Sequence, residues 1–316
     1  MTAMRPFRFY ADAGATASAP DLSHMARHAE ASGYTGLVVS DHLRDQLSPV
    51  PAMAVIAAAT STLRVSAFVF NNDLRHPAVL AQDLASIDVL SAGRLDVAIG
   101  AGWNEPEYRA IGLSFDPVGA RVSRLGEAVA VLKGCFGREP FSFAGEHYTI
   151  TEHDGLPKPV QAPHPPLLIG GGGRRLLTLA AREADVISLA PRILSRQRGD
   201  ARSLTWAATE EKIGWVREAA GDRFDDLELN VYPSGWSATL TDDLHGEARR
   251  VITSLRERTA IELTEREVID SPHLLIGSVD RLVEKFEELR ELLGITSLMV
   301  GEMGELDAVV ERLASR

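Results

Sequence analysis

The sequence predicts an α/β chain of the (β/α)8 TIM-barrel class, and three observations carry that prediction. Short β-branched runs alternate with segments of helical period, eight strands can be counted, and the strands are apolar throughout, as parallel strands covered on both faces must be. A barrel of eight βα units needs about 250 residues and accepts insertions, which suits a chain of 316.

The elements follow in order. Phe7–Tyr10 reads as the first strand, and Asp21 as the cap of a helix whose Leu22, Met25, Ala26 and Ala29 share one face before Gly33 stops it. Leu37–Val39 is the second strand and Pro51–Ala59 its helix; Val65–Phe70 and Pro77–Leu90 form the third pair. Leu95–Ile99 gives strand four, with a helix over Val122–Leu132 downstream. Phe141, Phe143, Tyr148 and Ile150 around Gly145-Glu146 predict a hairpin inside an insertion at 136–166. Strand five is Leu167–Ile169, followed by helix Arg174–Glu183, strand Val186–Leu189, helix Leu204–Ala219 and strand Leu227–Val231. A second irregular insertion with a helical middle spans 233–272. Val279–Leu293 is a strongly amphipathic helix, Ser297–Val300 the last strand and Leu306–Leu313 the closing helix. The whole chain is expected to be a single barrel domain with these two insertions. An open doubly wound sheet would alternate likewise, but its dinucleotide fingerprint should follow the first strand, where Ala11-Asp12-Ala13-Gly14 stands instead.

Composition narrows the function. Hydrophobic residues make up 45% and charged residues 24%, enough for a large core. A net charge of −11 argues against a nucleic-acid or anionic-membrane surface. Cys135 is the only cysteine, so no intrachain disulfide or cysteine-rich metal site exists, and a reducing cytoplasm is expected. Met1–Tyr10 lacks a signal-peptide pattern, and no apolar run approaches the roughly 20 residues of a membrane span. His24 and His28 have i,i+4 spacing but no neighbouring ligands, so no metal is expected.

Barrel chemistry sits at the carboxyl ends of the strands. Strand two ends in Ser40-Asp41-His42, strand three in Asn71-Asn72-Asp73, strand four in Gly100-Ala101-Gly102-Trp103-Asn104-Glu105 and strand five in Gly170-Gly171-Gly172-Gly173-Arg174-Arg175. The glycine run joins a strand to a helix, leaving backbone N–H groups at the positive end of the helix dipole, where an anion binds. A flexible turn with solvated arginines is the plainer explanation of such a run. Asp41-His42 is a titratable pair suited to proton transfer, or else a structural contact in which Asp41 caps a turn. Asn71 and Asn104 suit the pyrimidine edge of a flavin-like ring, or else are ordinary turn residues, and Trp103 either stacks near a ring or packs under a loop. No nucleophile elbow, P-loop or kinase signature is present.

Together these residues resemble the bacterial luciferase-like superfamily, in particular its F420-dependent branch. The likeness is carried by the segments 30–42, 74–95, 100–105, Pro157-Lys158-Pro159, Pro165-Pro166 and Ile169-Gly170-Gly171-Gly172. It implies a cofactor ring over the strand ends, with Asp41, His42, Phe68, Val69, Asn71, Ala101 and Asn104 around it. It likewise implies a phosphate held by Gly171, Gly172, Gly173 and Arg174. It also implies a non-prolyl cis peptide at the end of strand three, matching Phe68-Val69, although the family often has a small residue where Phe68 stands. His42 matches a histidine beside the reactive carbon and is the catalytic candidate. The acidic residue that related sugar-phosphate dehydrogenases carry just after strand four is replaced near that point by Trp103, which argues against a sugar-phosphate substrate.

The resemblance therefore implies hydride transfer between F420 and a small organic substrate, in a homodimer. An FMNH2- and O2-dependent monooxygenase is the alternative cofactor chemistry, and a non-catalytic flavin- or deazaflavin-binding protein is the third reading.

Overall fold

A computed structural model describes residues 5–14, 18–192, 200–233, 238–259 and 261–314. The strands, in chain order, are β1 Arg8–Asp12, β2 Gly36–Val39, β3 Arg64–Ala67, β4 Phe70–Asn71, β5 Val97–Gly100, β6 Phe141–Ala144, β7 Thr149–His153, β8 Leu167–Gly171, β9 Val186–Leu189, β10 Glu228–Val231, β11 Thr239–Leu240, β12 Ile276–Gly277 and β13 Ile295–Glu302. The main sheet has the order β3-β2-β1-β13-β10-β9-β8-β5-β4, the topology of a (β/α)8 barrel. It holds nine strands rather than the eight expected because the third is broken in two, at a cis peptide between Phe68 and Val69. That is the bond the sequence singled out, and Phe68 does not displace it.

By its internal contacts the chain divides into two compact units. One comprises residues 14–27 and 37–169. In it β4 lies parallel to β5 with Asn71 opposite Gly100, and β5 parallel to β8 with Ile99 opposite Ile169. Helices Pro49–Ala59, Pro77–Leu90 and Val118–Phe136 bury Met53, Ile56, Leu80, Leu84, Leu125 and Val129. The predicted hairpin is present as antiparallel β6 and β7, with Phe143 opposite Ile150.

The other unit comprises residues 1–13, 28–36 and 170–316. Here β1 pairs with β13, β13 with β10 and β10 with β9, all parallel. The register sets Ser188, Asn230 and Ser297 side by side, so the Ser188 hydroxyl donates to Asn230 Oδ1 at 2.7 Å and Asn230 Nδ2 donates to Ser297 Oγ at 2.9 Å. Three buried polar groups are thereby satisfied within an apolar core, the condition for burying them at low cost. The helical middle expected in 233–272 is helix Leu244–Thr259, joined by Glu265–Asp270. Ala248, Val251, Leu255, Leu263 and Val268 pack there with Ala201, Leu204, Leu274 and Ile276 into one hydrophobic cluster. Residues 234–237 and 260 of that stretch lie outside the described residues.

Element boundaries differ from expectation mainly at helix starts. Asp21 is not a cap: the first helix begins at Ala19 and Asp21 lies in its first turn, where its charge meets the helix dipole favourably. The helix expected from Val122 begins at Val118, and the short helix Glu105–Ala110 was not anticipated. Among the described residues no helix is long and apolar enough to cross a membrane.

Candidate active site

Residues at the ends of β2, β4 and β5 come together within the first unit. Asp41 and His42, neighbours in sequence, take different partners. Asp41 is buried and receives Arg75 on both oxygens, at 2.7 and 3.1 Å, while Oδ2 also accepts from the Asn71 backbone N–H at 2.9 Å. A bidentate, charge-assisted pair of this kind fixes both side chains. Asp41 thus ties β2 to the turn after β4 and makes no contact with His42 of the sort the sequence left open.

His42 instead meets Glu107, on the unanticipated short helix. Its Nδ1 lies 2.9 Å from Oε1 and 3.0 Å from Oε2. Both side chains are largely withdrawn from solvent, at 22% and 12% exposure. A carboxylate at Nδ1 holds the proton there, so Nε2 is left as the acceptor of the neutral ring. Trp103 meets the imidazole edge-on, with ring centroids 5.6 Å apart at 84°, and stays 46% exposed. It does not pack under a loop.

The helix that carries Glu107 is anchored by the next residue. Tyr108 is fully buried, and its hydroxyl, 2.9 Å from Asn71 Oδ1 and 3.0 Å from Asp73 Oδ2, donates its one proton between these acceptors. Burial, reinforced by the Asp73 charge, pushes this hydroxyl above its ordinary pKa, so it remains a donor. Gly102 permits the arrangement: it has φ +71°, and a Cβ there would fall 1.9 Å from the Tyr108 oxygen. Arg121 donates to the Ala101 carbonyl at 3.0 Å and also to that of Gly102, while Arg124 holds Asp73 at 2.9 Å. Asn71 is consequently occupied on Oδ1 by Tyr108 and by the Asp73 backbone N–H.

Three further residues expected beside a ring lie in this unit. Val69, just after the cis bond, packs over Gly100, where a Cβ would lie 2.8 Å from Val69 Cγ2. Ala101 is buried, and Asn104 is the N-cap of helix Glu105–Ala110 without a side-chain capping bond.

The glycine run belongs to the other unit, and its members differ. Gly172 is buried, and a Cβ there would fall 2.7 Å from the Ala190 and Pro191 carbonyls, so chain packing alone requires glycine. Gly173 has no atom within 4 Å of where a Cβ would be and is the N-cap of helix Arg174–Glu183. Its opening onto first-turn N–H groups, beside the exposed Arg175, fits a phosphate. Arg174 is paired with Glu218 at 2.7 Å on the surface.

Glu107, Tyr108, Arg75, Arg121 and Arg124 escaped sequence reasoning. Glu105-Pro106-Glu107, acidic with proline at a first turn, is the signal that would have found the helix. His28 pairs with Asp307 at 2.8 Å, and among the described residues no group of three or more His, Cys, Asp or Glu side chains could hold a metal ion.

Residues 3–214 match the family described as luciferase-like monooxygenase. The FMNH2-dependent dimethylsulfone monooxygenase of Pseudomonas putida is 35% identical over 141 residues, 45% of this chain and 39% of that protein. The F420-dependent glucose-6-phosphate dehydrogenase of Kineococcus radiotolerans is 31% identical over 190 residues, 57% of this chain and 56% of that protein. The matches thus span about two fifths to just over half of these relatives' length. Two solved structures share the fold: an F420-dependent secondary alcohol dehydrogenase, with TM-score 0.77 and 19% identity over 99% of this chain and 100% of that one, and the F420-dependent tetrahydromethanopterin reductase of Methanopyrus kandleri, with TM-score 0.75 and 17% identity over 98% of each.

Proposed function

The chain belongs to the luciferase-like monooxygenase family, and from that premise we propose that it is an F420-dependent oxidoreductase moving a hydride between the deazaflavin and a small organic alcohol or carbonyl compound. The observation that carries this reading is the contact between His42 and Glu107. Oxidising an alcohol releases a hydroxyl proton for every hydride removed. Nε2 of His42 is the acceptor for that proton, and the Glu107 carboxylate at Nδ1 stabilises the imidazolium that results. In the reverse direction the same imidazolium returns the proton to a carbonyl oxygen. A bound deazaflavin supplies the two-electron acceptor or donor. Asp41 acts at a distance, through Arg75 and Asn71, rather than on the reacting atoms.

Phe68, Val69, Asn71, Ala101 and Asn104 are assigned to the ring side, and Gly171, Gly172, Gly173 and Arg174 to a phosphate, with the open Gly173 the position of closest approach. Work in the cytoplasm as a homodimer belongs to the same proposal and rests on the family and the single buried cysteine. The dimethylsulfone monooxygenase relative supports a second reading, FMNH2 with O2. A side-by-side titration with F420 and FMN decides between them. F420 should bind at least tenfold more tightly, about 1.4 kcal/mol; equal affinity or a preference for FMN would overturn the assignment.

A further inference from the structure

We propose that Asp73 and Arg124 govern the contact of His42 with Glu107 from a distance, as positioning residues that hold the hydroxyl of Tyr108 and, through it, the Glu107 carboxylate. Their effect on rate rests on the hydride-transfer reading; their effect on the His42 ring does not.

Glu107 sits on helix Glu105–Ala110, and six residues do not hold a helix in place by themselves. Among its described residues Tyr108 alone is buried, so the place of Glu107, one residue earlier, follows from where Tyr108 is held. The Tyr108 ring meets Phe115 edge-on, with centroids 5.0 Å apart, and its carbonyl accepts from the Leu113 N–H at 2.9 Å. Both contacts come from the chain just after the helix. The hydroxyl, by contrast, reaches the turn after β4.

That hydroxyl has one proton and two acceptors. Asn71 Oδ1 is a neutral amide oxygen that already accepts the Asp73 N–H at 3.1 Å, whereas Asp73 Oδ2 belongs to a carboxylate, the stronger acceptor. The Tyr108 proton therefore goes to Asp73. The Asp73 side chain is only 5% exposed, and a carboxylate so far from water keeps its charge and its place only with a cation beside it. Arg124 is that cation, 2.9 Å from Oδ1, with the Asn72 amide a weak neutral contact at 3.4 Å from the same oxygen. Arg124 also binds Asp116, and it stands on helix Val118–Phe136, which is anchored by buried Leu125, Val129 and Leu132. From that base the line runs through Asp73 and Tyr108 and then, along the chain, to Glu107 and Nδ1 of His42. Asp73 and Arg124 thus act through Glu107 rather than on the reacting atoms.

The test starts on the full-length protein without cofactor, where long-range proton–nitrogen NMR reports which ring nitrogen of neutral His42 carries the proton. Wild type should hold it on Nδ1. The fraction held there should fall by about half or more in Asp73→Asn, in Arg124→Gln and in Tyr108→Phe, which keeps the ring against Phe115. Arg124→Lys, which keeps a cation beside Asp73, should restore most of it. Reduced F420 and benzaldehyde then give a single turnover in which the hydride goes to the carbonyl carbon and the His42 proton to its oxygen. Each of Asp73→Asn and Tyr108→Phe should slow this by about three- to thirtyfold, and the double variant should be no more than about twofold slower than the slower single one, because both cut the same bond. A wild-type proton fraction in Tyr108→Phe and Asp73→Asn, or rate losses that multiply in the double variant, overturns the proposal. If the NMR results hold but the wild-type protein moves no hydride, the positioning is upheld and the hydride-transfer reading is the part that fails.

Discussion

Glu107 grips Nδ1 of His42 with both carboxylate oxygens, at 2.9 and 3.0 Å, from a helix whose position is set by the buried hydroxyl of Tyr108. In the proposed reaction this carboxylate fixes the tautomer, orients the ring and stabilises the imidazolium once His42 has taken the proton.

Replacing Glu107 by glutamine keeps a hydrogen-bond acceptor at Nδ1 and removes the charge. Turnover should fall by about ten- to a hundredfold while F420 affinity stays within a few-fold of wild type, since only the protonated imidazole loses stabilisation. Single-turnover kinetics beside a binding titration measure both. A parallel loss of affinity would make Glu107 a residue that binds the cofactor.

At the glycine run, Gly173→Val and Gly172→Val should behave differently. Position 173 is extended, with φ −105° and ψ 146°, and open, so valine, a poorer N-cap than glycine, should cost no more than about 1 kcal/mol of stability while weakening F420 at least tenfold. Valine at 172 runs into the backbone of residues 190–192 and should destabilise the protein by about 1–3 kcal/mol. Unaltered F420 affinity in Gly173→Val would remove the loop from the site.

Acid stability should depend on His273. This ring is fully buried, with Nδ1 3.0 Å from the Tyr232 carbonyl, and burial, aided by the Lys212 charge and then by Lys285, drives its pKa down from 6.5 to about 3. The folded protein therefore binds fewer protons here than the unfolded chain between these values. The stability it lends is present above pH 6.5 and lost as the pH falls towards 3. Urea midpoints at pH 7 and pH 4.5 should lie closer together in His273→Leu than in wild type; an unchanged difference would exclude this histidine as the source.

Much of the fold was legible because periodicity reports burial. Pro77–Leu90, Arg174–Glu183, Val186–Leu189 and Val279–Leu293 fall at the predicted residues, each bounded by proline, glycine or a cap that acts locally. Even the break in the third strand was visible as the Phe68-Val69 bond, through family likeness rather than propensity. The site was legible only at strand ends. His42, Asn71 and Asp41 could be named because a barrel puts such residues on its working rim, but their partners lie some 30 to 65 residues away on elements without a strong local signal. Adjacency said nothing of the separate partners that Asp41 and His42 take, nor of the chain passing beside Gly172. Spatial contacts of that range leave no spacing to read.

The most direct measurement is single-turnover hydride transfer in His42→Ala, taken together with F420 affinity. If Nε2 carries the substrate proton, the rate should drop by roughly two to four orders of magnitude, with affinity within about threefold of wild type. A wild-type rate would contradict the catalytic role of His42, and a large loss of affinity with normal chemistry would make it a binding residue instead.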